Sequence, residues 1–546
     1  MRGGERAWYP SSMRLSHTFT FVLVVGLSAC GVFGSDDPTT NPPGNPTPTG
    51  SGPPGTPEQN AQPPGVNGAP LEGIFVSASR GADTNDGTMA KPLKTIAAGL
   101  KAGKDAKKRV LICAEEYPEA ITVLDGVSMY GYIDCGGPEW KVDDTKRATV
   151  KSPTSPAMRV ENVSSATRIE GFAVIAPDFT EGSPDEREWT KTSSVGLFAL
   201  NSTNIIIARS TIHSGTGRNG VDGQDGPAAV RTDTKTPEAG ADEQNCALVP
   251  CASFVTNPGG AGGTATCTGG VTPVPGGKGG DGGHATAAGG WSAPPQNGAN
   301  AGGTAGGVVE ATVASIGVSG DDGAAGSAGM DGENGAGSLT TEGLLVGDGV
   351  AGTNGGAGAP GGGGAAMGWT KVATNTRLGG SGGGGGAGGC PGLAGQPGLG
   401  GGASVALYVV KSSLSVERVR LESSRGGRAG RGTLGSIETV GQSPGTGGGP
   451  RDPGGTTPDC VVAGLFVKCV GGRGGAGGKG GRAGGSGHGA PGASYGIVHF
   501  GDAPKMDTET TITPGPGGEG APELTRGPAK IPAMPNGASE KIVKGQ

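Results

Sequence analysis

The residues of this sequence best suited to chemistry are its cysteines and a few oxygen-rich turns. Asp83, Asn85 and Asp86 lie in "DTND", just before Gly87. They place three side-chain oxygens within four residues, a pattern that can hold Ca²⁺. Asp and Asn before glycine are also ordinary turn formers. Calcium is the one cofactor the sequence offers, and a turn is the competing reading. Asp178, Asp185, Glu186 and Glu188 make a second acidic turn, read as solvated rather than catalytic. Eliminative cleavage of an acidic polysaccharide needs carboxylates clustered for Ca²⁺ with an Arg or Lys as base, and no motif here gathers that set. His17, His213, His284, His488 and His499 are far apart and lack metal-ligand spacing. "GGKGGDGGH" has neither the spacing nor the apolar anchor of a calcium-binding repeat. No glycine-rich stretch leads into a GK[ST] or GxGxxG phosphate loop.

Cys30 ends "MRLSHTFTFVLVVGLSAC", Met13 to Cys30. Arg14 supplies a positive region and Thr18 to Leu27 an apolar one. That run is too short for a membrane-spanning helix and suits a signal peptide. Leu27-Ser28-Ala29-Cys30 resembles the lipobox of bacterial lipoproteins. The resemblance implies cleavage before Cys30, acylation of that cysteine and attachment to the bacterial outer membrane or cell surface. An ordinary secretory signal is the competing reading. Met13 suits the initiator better than Met1. Ser35 to Pro70 is dense in Pro, Thr and Gly, the composition of an extended tether.

Nine cysteines less Cys30 leave an even number, also even within each segment. Cys113 and Cys135 lie in the first folded region. Cys246, Cys251, Cys267 and Cys390 lie in one glycine-rich stretch, and Cys460 and Cys469 in another. This predicts local disulfides in an oxidising compartment, among them Cys113–Cys135 and Cys460–Cys469. Zinc is disfavoured, since no C-x-x-C pair exists. Cys113, inside the apolar "VLICA", also fits a buried thiol.

The elements that position these residues begin at Leu71. An apolar strand, Ile74 to Val76, is followed by a polar turn. A short helix comes next, with Thr95 as N-cap, apolar residues from Ile96 to Ala102 and Gly103 to close it. Short β-rich runs follow, separated by turns. The pieces "FVSASRGADTNDGT", "KPLKTIAAGL", "VLICAEEYPEAITV" and "DGVSMYGYI" resemble the DUF1565-type opening of pectin-lyase-like proteins. That resemblance implies an all-β fold, a right-handed single-stranded parallel β-helix with the helix as its cap. It implies fold more firmly than function.

Three later stretches repeat one pattern. They are "SVGLFALNSTNIIIARSTIHSG" from Ser194, "SVALYVVKSSLSVERVRLESS" from Ser404 and "SYGIVHFGDAPKMDTETTITPG" from Ser494. Their second strands end at Ile212, Leu421 and Ile512. Each is followed by glycine-rich sequence, read as long excursions from equivalent corners of one stack. The excursions repeat every three residues, as in "GAAGSAGMDGENGAG" and "GGRGGAGGKGGR". That period fits extended threefold helices packed side by side with glycine at the contacts; mobile coil is the alternative. In composition they resemble the PGRS glycine repeats. The predicted division is 1–29 signal peptide, 30–70 lipidated tether, 71–214 first part of the β-helix, 215–403 glycine-rich insert, 404–425 coil, 426–493 glycine-rich insert, 494–514 coil and 515–546 disordered tail.

Net charge is −6, hydrophobic content 33% and aromatic content 4%. The charge is too mild and scattered for a nucleic-acid surface. Two functions are weighed. One is a surface-exposed lipoprotein acting as a structural, adhesion or carbohydrate-binding scaffold, with the membrane and an extracellular polysaccharide or cell-surface molecule as partners. The other is a polysaccharide lyase or hydrolase, which an aromatic groove with adjacent carboxylates would favour.

Overall fold

The computed structural model describes residues 57–65, 71–137, 139–179, 188–242, 244–245, 257–282, 284–285, 291–293, 296–310, 314–369, 377–449, 459–462, 465–468 and 470–546. Its frame is all-β and built of three sheets whose main strands run parallel. The chain visits the sheets in turn. One circuit runs through Ser194–Leu200, Ile205–Ala208 and Thr211–Ser214. The next runs through Ser404–Val410, Leu414–Glu417 and Arg420–Ser423, and a third through Ser494–Phe500, Lys505–Met506 and Thr511–Thr513. Ser194 pairs with Ser404 and Ser404 with Ser494; Ile212 pairs with Leu421 and Leu421 with Ile512. The repeat read from the sequence is therefore the physical register of the stack, but each circuit holds three strands rather than two, and Ile212, Leu421 and Ile512 lie inside the third.

Leu197, Leu407 and Ile497 lie side by side on adjacent strands, all wholly buried in one core with Ile207, Val416 and Leu421. Corners are made by single left-handed residues. Asn162, Asn201 and Lys411 follow successive strands of one sheet, with φ of 56°, 47° and 47°; asparagine tolerates that backbone better than most residues. Serines tie neighbouring corners: the Ser412 hydroxyl accepts from the Ser202 amide at 2.9 Å and donates to the Val410 carbonyl at 2.8 Å.

The helix Ile96–Ala106 packs on the first strands through Ile96 and Leu100. Its N-terminal amides are met by three side chains. Thr95 accepts from the Ala98 amide at 3.1 Å, and Glu119 from those of Ile96 and Ala97 at 2.8 and 3.1 Å. Asp83 accepts from the amides of Lys94 and Thr95, both at 2.9 Å. The helix does not stop at Gly103. It continues to Ala106, with Lys107 (φ 54°) as C-cap. Gly103 is a contact position, since a Cβ there would lie 2.8 Å from the Lys108 carbonyl oxygen.

The described glycine-rich segments are ordered, not mobile coil. Gly320, Gly323, Gly326, Gly329, Gly332 and Gly335 donate to the carbonyls of Arg473, Ala476, Lys479, Arg482, Gly485 and His488 at 2.7–2.9 Å. The two segments run parallel, bonded once every three residues. Segment 383–401 donates in the same way to segment 472–490, and segment 427–448 runs antiparallel to it. The central stretch is 379–393, where every residue is buried. Successive residues of a threefold helix point in three directions. A Cβ at Gly384 would lie 2.1 Å from the Ala261 carbonyl oxygen, at Gly385 2.2 Å from that of Gly361, and at Gly386 2.1 Å from that of Gln442. Three successive glycines thus meet three different neighbours.

Glycine content follows from this geometry. The surrounded segment reads "GGSGGGGGAGGC". Segment 471–482 has two glycines per triplet and turns Arg473 and Lys479 to solvent. Segment 320–335 keeps glycine at every third position only, and Ala324, Ala325, Ser327 and Ala328 between them are exposed.

Two further expectations are corrected. Residues 515–546 are not a disordered tail. Gly518 donates to the Gly492 carbonyl at 2.8 Å, and Ser539–Lys544 adds a parallel strand to Ser494–Phe500. Part of the expected tether, 57–65, is also docked: the Tyr130 hydroxyl donates to the carbonyls of Asn60 and Gln62 at 2.7 and 2.8 Å.

Candidate functional site

A row of aromatic rings lies on the outer face of the sheet containing Ser194–Leu200. Trp189, Phe198, Tyr408 and Phe500 follow one another at centroid distances of 5.6, 5.6 and 6.0 Å. The Arg159 guanidinium lies 5.6 Å from the Phe198 ring and 5.9 Å from the Trp189 ring, and Arg159 pairs with Glu161 at 2.7 Å. A cleft of about 330 Å³ opens beside the row, lined by Arg159, Glu161, Trp189, Glu342 and Lys411 among others. The register carries half of this row: Phe198 and Tyr408 hold the fifth position of two matched repeats and are paired, while the third repeat has Val498 there. Sequence reading missed that signal.

The rings are covered by a hairpin, Ser338–Thr340 with Gly343–Leu345, which interrupts the glycine-rich region. The Tyr408 hydroxyl donates to the carbonyls of Thr340 and Gly343 at 2.6 and 3.0 Å. Burial pushes that hydroxyl above its ordinary pKa, so it stays protonated. Gly343 has φ 142°, and a Cβ there would lie 2.3 Å from Trp189 Nε1. Leu344 is buried against the same rings. The row therefore clasps the glycine-rich region to the sheet. Of the two cleft carboxylates, Glu161 is held by Arg159. Glu342 is held below the ordinary carboxylate range by the Thr341 hydroxyl, so it is ionised at neutral pH. A general acid would need the opposite shift.

A second charged group lies on the neighbouring sheet. Glu170 is wholly buried between Arg168, at 2.7 Å, and Arg209. Arg168 also reaches Glu417 at 3.2 Å, and Arg209 reaches Asp144 at 2.6 Å. The Arg209 guanidinium stacks 4.6 Å from the Tyr132 ring centroid. Burial works against the charge on Arg168, but Glu170 and Glu417 outweigh it and hold the group protonated. Each of these carboxylates is bound to an arginine, an arrangement that fixes strands and corners.

Asp83 caps the helix as described. Burial opposes its ionisation, but hydrogen bonds from Thr95 and Lys94 outweigh burial and lower its pKa. Asn85 donates to the Pro92 carbonyl at 2.8 Å, and Asp86 accepts from the Thr88 amide at 3.0 Å. All three calcium candidates thus have turn or cap partners. Among the described residues no group of three His, Cys, Asp or Glu side chains is gathered as a metal site. Asp178 accepts from the Thr216 amide at 2.6 Å; Asp185 and Glu186 lie outside the described residues.

Cys113 and Cys135 form a disulfide, Cα–Cα 5.7 Å. Cys267 and Cys390 form a second, Cα–Cα 5.6 Å, across 123 residues. It joins a peripheral strand to the central glycine segment. Cys30, Cys246, Cys251 and Cys469 lie outside the described residues, and with Cys469 the expected Cys460 pairing. Cys460 sits in the strand Asp459–Val462, opposite Val467.

No family model matches the chain, and no curated protein matches it. A solved structure, the GH136 lacto-N-biosidase from Eubacterium ramulus in its selenomethionine form, is 15% identical over 27% of each chain, with a TM-score of 0.17. That likeness bears on neither fold nor function.

Proposed function

We propose that this chain is a lipid-anchored scaffold of the bacterial cell surface. In this reading it is a right-handed parallel β-helix of pectin-lyase-like type, whose glycine-rich excursions present a rigid surface for adhesion or for an extracellular polysaccharide. One observation carries the reading: the glycine segments form a hydrogen-bonded bundle with glycine inside and Arg473, Lys479, Asp322 and Asp331 on its outer rows. Acylation of Cys30 would hold it at the membrane, since two or more acyl chains anchor a protein stably.

The second reading, a hydrolase or lyase, draws on the cleft with Glu161, Glu342 and Trp189. One experiment separates the two. The full chain in detergent is incubated with an array of polysaccharides, scored for retention and for new reducing ends or unsaturated products. Retention without cleavage supports the scaffold. Cleavage abolished by Glu342→Gln overturns it. The anchor is tested separately: Cys30→Ser should remove labelling by a fatty-acid probe, and undiminished labelling would refute acylation at that residue.

A further inference from the structure

His488 lies wholly buried where three glycine-rich segments meet, its own (484–492), 427–433 and 515–522. Its ring Nδ1 accepts a hydrogen bond from the Gly432 amide at 2.9 Å. A backbone amide can only donate, so this bond fixes the neutral tautomer with the proton on Nε2. Nε2 makes no hydrogen bond of ordinary geometry among the described residues, and the Pro522 carbonyl is the acceptor nearest to serving it. The His488 backbone is held on both sides: its amide donates to Asn334 at 2.9 Å, and its carbonyl accepts from Gly335 at 2.7 Å. A proton added at Nδ1 would point at the Gly432 N–H, and that bond must break. Gly432 is packed closely on that same segment, since a Cβ there would lie 1.9 Å from the Ser486 carbonyl oxygen, so a lost bond at His488 is felt along the whole contact.

We propose that His488 is an acid-sensitive latch of the glycine bundle, whose protonation parts segment 484–492 from segment 427–433. Burial lowers the ring's pKa. The Pro522 carbonyl opposes this, the Arg431 guanidinium of the adjoining segment adds to it, and the Asp222 carboxylate of the segment beyond opposes it. The net direction is downward, so the folded ring holds a proton less tightly than the unfolded one. The sign follows. The latch contributes fully above the unfolded value of about 6.5. It weakens as pH falls below that value towards the lower folded one. The segment it releases leads directly into the strand Ser494–Phe500, so loosening would begin where bundle meets sheets.

Urea unfolding of the full chain in detergent, at pH 7.5 and 5.5, tests this against His488→Gln. Glutamine keeps an acceptor for Gly432 and does not titrate in this range. The wild type should lose up to about tenfold in its folding constant between pH 7.5 and 5.5 relative to the variant. Equal losses in both proteins would overturn the latch. If the variant fails to fold, nitrogen NMR of the wild-type histidines decides. A His488 ring that stays neutral, protonated on Nε2, below pH 6.5 supports the proposal. A ring that titrates near 6.5 while the Gly432 amide stays protected overturns it.

Discussion

The stacked sheets and the glycine bundle solve one problem in opposite ways. Both must exclude water from an interior and satisfy every backbone group there. In the sheets the interior is side chain: Leu197, Leu407 and Ile497 fill it and backbone bonds lie around it. In the bundle the interior is backbone. Gly384, Gly385 and Gly386 touch three neighbours with no side chain between. Burial of apolar surface, at about 25 cal/mol per Å², therefore stabilises the sheets far more than the bundle. The bundle depends on hydrogen bonds of about 1 kcal/mol each, and it orders glycine, the residue that loses most conformational freedom. A region so built needs covalent help. Cys267–Cys390, running into the centre of the bundle, supplies it.

If that contrast holds, removing the bundle disulfide should have the largest effect. Closing 123 residues contributes about 4–5 kcal/mol on chain-entropy grounds. Cys267→Ser with Cys390→Ser should melt the bundle and leave the sheets. Hydrogen exchange should show fast amides at Gly383 and Gly386 and protected ones at Leu197 and Leu407; uniform loss of protection would erase the distinction. Next comes Leu407→Ala, expected to cost about 3 kcal/mol through its cavity, read as a lowered urea midpoint of the sheet amides. A cost below about 1 kcal/mol would mean that the sheets do not rely on their side chains. Gly385→Ala should cost about 2 kcal/mol or more by overpacking, whereas Ala325→Val on the exposed row should stay within about 0.5 kcal/mol. Equal effects would refute the backbone interior. Among the destabilising changes the mildest is Asp83→Asn, about 1 kcal/mol from the weakened helix cap, the same with or without added Ca²⁺. Because Asp83 titrates below the ordinary carboxylate value, its contribution is present above about pH 4 and is lost as pH falls through its folded value. A calcium-dependent difference would restore the metal reading of this turn.

The sheets were legible because their interior is written in side chains. Ser194, Ser404 and Ser494 open alike since each strand buries the same positions. The fourth strand, Ser539–Lys544, escaped notice because it lies at the edge of its sheet. Exposed there, Glu540 and Lys541 replace the apolar and small residues that mark the other three. The bundle showed its period but not its pairing. Every glycine triplet resembles every other, so nothing local says that Gly323 meets Ala476 rather than Lys479. The partners are chosen by scarce larger residues: Asp322, Asp331 and Asn334 accept from the amides of Ala476, Gly485 and His488 at 2.6, 2.7 and 2.9 Å. Cys267–Cys390 falls in the same class. Its even cysteine count was visible, but its span of 123 residues was not. The aromatic clasp was half visible, since Phe198 and Tyr408 recur at one position of the repeats while the hairpin covering them comes from far along the chain.

The three-residue ladder also gives the bundle something like a reading frame. Each residue turns the chain by a third of a revolution, so faces are preserved only when length changes in steps of three, about 9 Å apiece. Loss of a whole triplet from segment 320–335 would shorten an outer row and leave its faces intact. Loss of a single residue would rotate everything beyond it and bring a neighbour of Gly332 to the place where a Cβ meets the Val350 carbonyl oxygen at 2.0 Å. Such a bundle can lengthen or shorten over time, but only in quanta, and a one-residue slip is for it a frameshift.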